Sequence, residues 1–226
     1  MRPDLSRRAT DPELLDEGVP EDEALRSLAD LRLVNRFLGG QRALLRAVLP
    51  LLAPAAPARP TLLDVGCGSA DLPALLRRAT GGRLLAVGVD LKLAHARAAR
   101  DGVQPVVADV RALPFRPGSF DVVTASLFLH HFDDPELPAL LRTLYDTARR
   151  ALVINDLHRA HVAYAFARLV FPRVFRSYVS VADGLISIRR AFRPHELRSA
   201  FERAGIRGVR VRRSFPYRLV ALATKE

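Results

Sequence analysis

The stretch Asp64-Val65-Gly66-Cys67-Gly68-Ser69-Ala70-Asp71 sets a carboxylate on either side of a glycine turn. An apolar run leads into it and a helical pattern resumes at Leu72, so it reads as the first strand, loop and helix of an α/β sheet, whose ligands sit at the carboxyl ends of the strands. A loop that binds a dinucleotide needs a third glycine three residues after the second, and Asp71 stands there instead. Its carboxylate repels a diphosphate, while Asp64 and Asp71 together attract a ligand that carries positive charge. Asp90 closes the next apolar run, roughly 20 residues beyond the loop, where an acid accepts hydrogen bonds from both hydroxyls of a ribose. The two requirements are independent, and together they point to a cationic, nucleoside-containing ligand.

Histidines follow the fourth and fifth apolar runs. His130 and His131 lie in Ser126-Leu127-Phe128-Leu129-His130-His131-Phe132, and His158 in Asn155-Asp156-Leu157-His158. They fall on the same sheet edge as the acids. A histidine poised near neutrality assists a hydroxyl acceptor such as a phenol, whose unperturbed pKa is about 10. Asp156 is a candidate to orient His158. No metal-ligand spacing recurs, and no metal is expected. The single cysteine, Cys67, excludes an intrachain disulfide and reads as a small residue tolerated between glycines.

Motif by motif from about Leu62 to Phe132, the chain resembles the class I S-adenosylmethionine-dependent methyltransferases, in their small-molecule branch. The first motif of that family has the form Asp64-Val65-Gly66-Cys67-Gly68, with Ala70 standing where glycine is frequent. The apolar turn with histidine after the fourth strand is similar to that of quinone-biosynthesis enzymes and of bacterial relatives encoded with polyketide synthases. The resemblance implies S-adenosylmethionine as cofactor, its ammonium and sulfonium matching the acidic loop. It implies that Asp64, Gly66, Cys67, Gly68 and Asp71 take the methionine part, Asp90 with Leu91 the ribose, and Asp109 with Val110 the adenine. Ser126 and Leu127 end the fourth strand beside them. Asn35 and Arg36, in the leading helices, become candidates to face the cofactor's carboxylate. The implied reaction is methyl transfer to an oxygen or carbon of an apolar aromatic, quinonoid or polyketide-like small molecule, with His131, His158 and His130 as candidate bases. Two rival readings are an RNA methyltransferase, supported by charge alone, and a cofactor-binding module without catalysis. The Asn/Asp-Pro-Pro-aromatic motif common in enzymes that methylate nucleic-acid bases is absent after the fourth strand.

The elements that must hold these residues alternate apolar runs with helical patterns, among them a helix over Lys92 to Arg100 and a fifth strand over Ala151 to Ile154. They predict a Rossmann-like α/β fold: a seven-stranded, mostly parallel sheet with helices on both faces, an antiparallel C-terminal strand pair and an N-terminal helical cap. Residues 1–20, rich in charge and proline, read as a poorly ordered tail. Residues 21–58 form the cap: a helix from Glu21 to the Gly39-Gly40 pair, a second from about Gln41 to Leu52, and a stiff linker through Pro54, Pro57 and Pro60. The resemblance implies that residues 59–226 form the methyltransferase domain, with a substrate lid at about 157–190 in which Tyr164, Phe166, Phe171, Phe175 and Tyr178 would line an apolar pocket.

The net charge of +11 is unevenly distributed. Nine acids stand against four arginines in residues 1–30, and seventeen basic residues against five acids from Ala148 onward. The arginines are scattered without the aromatic interleaving that stacks bases, so a nucleic-acid partner is not expected. A peripheral contact with an anionic membrane, or an acidic substrate, fits the basic half about as well. No apolar tract reaches the ~20 residues that a spanning helix requires, and the polar N-terminus lacks an apolar signal region. A cytoplasmic protein is the expectation.

Overall fold

A computed structural model describes residues 3–53, 59–99 and 102–225. The strands β1 (Thr61–Val65), β2 (Leu85–Asp90), β3 (Gln104–Val107), β4 (Phe120–Ser126), β5 (Ala148–Leu157), β6 (Arg210–Ser214) and β7 (Arg218–Thr224) form one sheet in the order β3-β2-β1-β4-β5-β7-β6. The first five pair in parallel, and β7 runs antiparallel to both β5 and β6. The expected sheet is therefore present. Its order reverses between β1 and β4, and a crevice opens at such a switch point. Every residue of β4 is buried, as a strand covered on both faces requires.

The helices are α1 (Leu14–Glu17), α2 (Glu21–Phe37), α3 (Gly40–Val48), α4 (Asp71–Ala79), α5 (Leu93–Arg97), α6 (Leu137–Thr147), α7 (His161–Val174), α8 (Tyr178–Arg190) and α9 (Pro194–Arg203). On one face Leu141, Leu144, Leu197 and Phe201 of α6 and α9 bury against Leu63, Val123 and Leu152. On the other, Leu44 and Val48 of α3 join Leu72 and Leu76 of α4 over Leu62, Val122 and Val153. A third cluster holds Ala163, Ala167 and Phe171 of α7 against Ile188 of α8.

Four sequence expectations change. The tail is the largest correction: residues 3–20 pack onto the domain instead of trailing from it. Leu5 is 2% exposed, Arg159 Nε donates to its carbonyl at 3.1 Å, and Asp183 accepts from the amides of Leu14 and Leu15 at 2.7 and 3.0 Å. These anchors lie more than a hundred positions away in sequence, so local composition does not reveal them. The second cap helix ends at Val48 and tightens to a 3-10 turn over Leu49–Leu52, where Pro50 supplies no amide. Pro54 and Pro57 of the expected linker lie outside the described residues. The helix expected from Lys92 shortens to Leu93–Arg97. Finally, β5 was expected over 151–154 but runs to Leu157 because β7 pairs beside it up to Leu157↔Arg218. That extension carries Asn155 and Asp156 to the site.

Candidate active site

The glycine loop turns in left-handed backbone: Gly66 has φ 64°, Gly68 52° and Ala70 56°. A Cβ on Gly66 would fall 2.1 Å from the Phe128 ring, so the close approach also demands glycine. Asp90, at the end of β2, fixes this loop by accepting from Gly68 N at 2.9 Å and from Lys92 N at 3.0 Å. His95 Nδ1 stands 3.2 Å from it. Burial disfavours the charge of Asp90, yet His95 and the two amides outweigh it and hold the carboxyl below the usual range. Asp64 is buried beneath the loop, where Thr124 Oγ1 donates to it at 2.6 Å. Burial, helped by the charges of Asp71 and Asp90 and opposed by Thr124, pushes it up to about 7. Cys67 is buried against Gly88.

The tips of β2 and β3 are joined by Ala108 N donating to Asp90 O at 3.2 Å. There Val110 is buried, Leu91 is 64% exposed, and the half-exposed Asp109 carboxylate accepts from Arg111 N at 2.9 Å. Ser126 ends β4, and Leu127 turns away from it at φ 53°, a conformation rare for leucine. The predicted residues of the loop and of the strand tips thus share one edge of the sheet.

Beyond them lies a corner of which the sequence flags Asn35 and Asp71 but not Asn155 or Arg218. Asn35 Nδ2 donates to Asp71 at 3.4 Å. Arg218, 1% exposed at the start of β7, donates from Nε to Leu38 O at 3.2 Å. Both of its terminal nitrogens, together with Asn35 Oδ1 and Asn155 Oδ1, are buried and lack protein partners. Burial lowers Arg218 to about 10, with Asp156 and Asp71 pulling the other way, so it remains a cation. A buried guanidinium with unmatched donors is costly and calls for an anion. An amino-acid zwitterion meets both demands of this corner, its carboxylate at Arg218 and its ammonium at Asn35 Oδ1 and Asp71. The residues present therefore fit S-adenosylmethionine. Arg36 does not join them: it is exposed, with its guanidinium over the Phe37 ring.

Beside this corner is a cavity of about 520 Å³ with mainly apolar walls, enclosed by α2, α7, α8, the turn at Phe215-Pro216-Tyr217 and the β4 and β5 tips. Phe166, Phe171 and Phe175 line it, whereas Tyr164 and Tyr178 are not in its wall. At one end five titratable residues meet. His130 Nδ1 is 2.6 Å from Asp156 Oδ1 and its Nε2 is 3.4 Å from Glu13 Oε1. His131 Nδ1 is 2.7 Å from Asp16 Oδ2, and its Nε2 is 3.8 Å from Glu13 Oε2. Burial works against a charge on His130, but Asp156 and Glu13 on its two nitrogens raise it to about 10. His130 is thus an imidazolium at neutral pH and leaves the set of candidate bases. Asp156 orients His130, not His158 as expected. His158 reaches the cavity wall from β5, and burial plus nearby Arg213, Arg159 and Arg193 keep it below its usual value. The donor atoms of Glu13, His130 and His131 lie within 4.8 Å of one another, close enough to hold a metal ion, a grouping that sequence spacing does not show. Glu13 and Asp16 were missed because they lie in the supposed tail.

Known proteins share this fold. A family described as methyltransferase domain matches residues 62–151. The ubiquinone/menaquinone biosynthesis C-methyltransferase UbiE of Enterobacter sp. (strain 638) is 28% identical over 170 residues, covering 66% of this chain and 67% of that protein. Human N-acetylserotonin methyltransferase in complex with S-adenosylmethionine superposes with TM-score 0.66 at 16% identity, over 91% of this chain and 56% of that one. The plantazolicin methyltransferase BpumL, bound to a desmethyl substrate analogue and S-adenosylhomocysteine, gives TM-score 0.65 at 12% identity, over 91% and 98%. The methyltransferase-domain match, the UbiE relatives and the shared fold together support a class I S-adenosylmethionine-dependent methyltransferase, with S-adenosylmethionine as cofactor. Within that class its sequence is similar to quinone C-methyltransferases.

Proposed function

We propose that the protein methylates an acidic hydroxyl of an apolar aromatic, quinonoid or polyketide-like small molecule, or the ring carbon that this hydroxyl activates. The observation that carries this reading is the mainly apolar cavity of about 520 Å³ with Glu13, His130 and His131 in its wall and Asp16 paired to His131. Its size suits a drug-sized apolar ligand.

Bound S-adenosylmethionine supplies an electrophilic methyl on sulfur, so the chain has mainly to orient the acceptor and manage one proton. The Gly66–Asp71 loop, Asp64 and Asn35 would hold the amino-acid ammonium, Arg218 its carboxylate, Asp90 the ribose and Leu91, Asp109 and Val110 the adenine. Asp16 holds the proton of His131 on Nδ1, which leaves the lone pair of Nε2 to take the acceptor's hydroxyl proton. The charge that then forms on His131 is stabilised by Asp16. His130, already cationic and clamped by Asp156, stabilises the developing phenolate or enolate. His158 stands at the cavity wall as an acceptor for a second hydroxyl. The apolar walls and the α7–α8 lid exclude water.

The protein incubated with methyl-labelled S-adenosylmethionine and a panel of phenolic and quinonoid acceptors is expected to place label in the organic phase. Label that enters only added RNA, or no acceptor at all, would overturn the reading.

A further inference from the structure

Apart from Arg218, the arginines after Ala148 have no role in the chemistry above, yet their half of the chain borders the cavity opening. Val162 and Phe166 of α7 and Phe215 of the turn before β7 line the cavity while being 63%, 44% and 84% exposed, so they stand at its mouth. Leu169 continues the row, and 162, 166 and 169 share one face of a helix. Val174 follows at the end of α7, and both are more than half exposed. Phe37 is 67% exposed, and the nearby Gly39 packs so close to the turn that a Cβ on it would lie 2.6 Å from Phe215 O. An exposed apolar strip on both sides of an apolar cavity is unusual for a surface that meets only water.

Charge is segregated in the same place. From His158 to Ala182 the sequence holds Arg159, Arg168, Arg173 and Arg176 and no acid. Of these Arg168, Arg173 and Arg176 are exposed, and β6 exposes Arg210, Arg212 and Arg213 just before Phe215. A helix with an apolar face flanked by arginines, shorter than a spanning segment, is the pattern of an element that lies in a bilayer interface. Among the described residues no helix is long and apolar enough to cross a membrane.

We propose that α7 and the Phe215 turn dock on an anionic lipid bilayer, with Val162, Phe166, Leu169 and Phe215 in the acyl boundary and Arg168, Arg173 and Arg213 among the headgroups. The cavity mouth then opens into the lipid, and an acceptor passes from the acyl layer to His131 without entering water. This rests on the apolar-acceptor reading for its purpose, but the docking itself is measured without any acceptor.

The test uses the full chain and sucrose-loaded vesicles of phosphatidylcholine, alone or with 30% phosphatidylglycerol added (about a third anionic lipid). Sedimentation is expected to show binding that needs the anionic lipid and weakens with salt. Arg168→Glu with Arg173→Glu is expected to reduce partitioning at least about 30-fold, since each arginine at an anionic surface contributes roughly fivefold. Leu169→Ser with Val174→Ser is expected to reduce it about tenfold. Both variants should keep the rise in melting temperature caused by S-adenosylhomocysteine, which shows that they fold, and keep turnover of a water-soluble phenol. No vesicle binding at low salt, equal binding to pure phosphatidylcholine, or binding untouched by both double variants would overturn the proposal. A protein that binds vesicles but methylates no acceptor would instead overturn the functional reading and leave the docking intact.

Discussion

The two halves of the site are assembled in different ways. The cofactor half repeats one unit: a strand ends, an acid or glycine turn follows, and a helix begins. Asp64, Asp90 and Asp109 therefore reach one sheet edge by the regularity of parallel pairing alone. The acceptor half has no such unit. Asp16 meets His131 across 115 positions and Glu13 meets Ser187 across 174, and the cation between the halves, Arg218, comes from the start of the last strand. Binding the shared cofactor needs only the repeated frame, whereas the part that distinguishes acceptors is built from segments that other chains can vary.

That contrast can be broken in four ways. Arg159 is fully buried, pairs with Glu196 and donates to the Leu5 carbonyl, so it ties the N-terminal segment to the domain. Arg159→Met should lower stability by about 3–5 kcal/mol, the usual cost of removing one partner from a buried pair, in urea denaturation. If stability is unchanged, the segment is not held as described. Next in size, Arg218→Leu should weaken S-adenosylhomocysteine binding by roughly 30–100-fold, the value of a charge-assisted bidentate contact. Methylthioadenosine, which lacks the amino-acid group, should bind the variant and the wild type alike by calorimetry. Equal losses for both ligands would remove Arg218 from the carboxylate site.

A smaller effect is expected from pH. Asp64, raised to about 7 by burial, Asp71 and Asp90, is ionised above that pH and neutral below it. The ammonium of S-adenosylhomocysteine prefers the ionised form, so its affinity should fall, by up to about tenfold per unit, as pH drops through 7. Asp64→Asn should bind weakly at all these pH values; a variant that keeps the wild-type profile would assign the titration elsewhere. The smallest effect belongs to Cys67. Burial and the charge of Asp64 push its thiol far above the ordinary range. Cys67→Ala should change cofactor affinity less than about threefold, and alkylation at neutral pH should be slow; rapid alkylation would show the loop to be open.

Legibility followed the same division. The apolar runs and their terminal acids revealed the sheet and cofactor edge because both are local patterns in the chain. Element ends were read less well where a partner decides them, as when β7 lengthens β5 to Leu157. The N-terminal segment was read as a tail because its composition is polar. Its polar groups are matched by Asp183, Arg159 and His131, which only the folded chain brings near. Arg218 carried no signal at all: one arginine among many, it is singled out only by its burial.

The central claim is that the N-terminal segment completes the acceptor site at His131. The direct measurement is single-turnover methyl transfer to a phenolic acceptor by Asp16→Ala and by His131→Ala, with S-adenosylhomocysteine affinity measured in parallel. The account predicts a fall in rate of about 10²–10⁴-fold, the contribution of a positioned base, with affinity within about twofold of wild type. Wild-type rates in both variants would contradict it and leave the acceptor half to positioning alone.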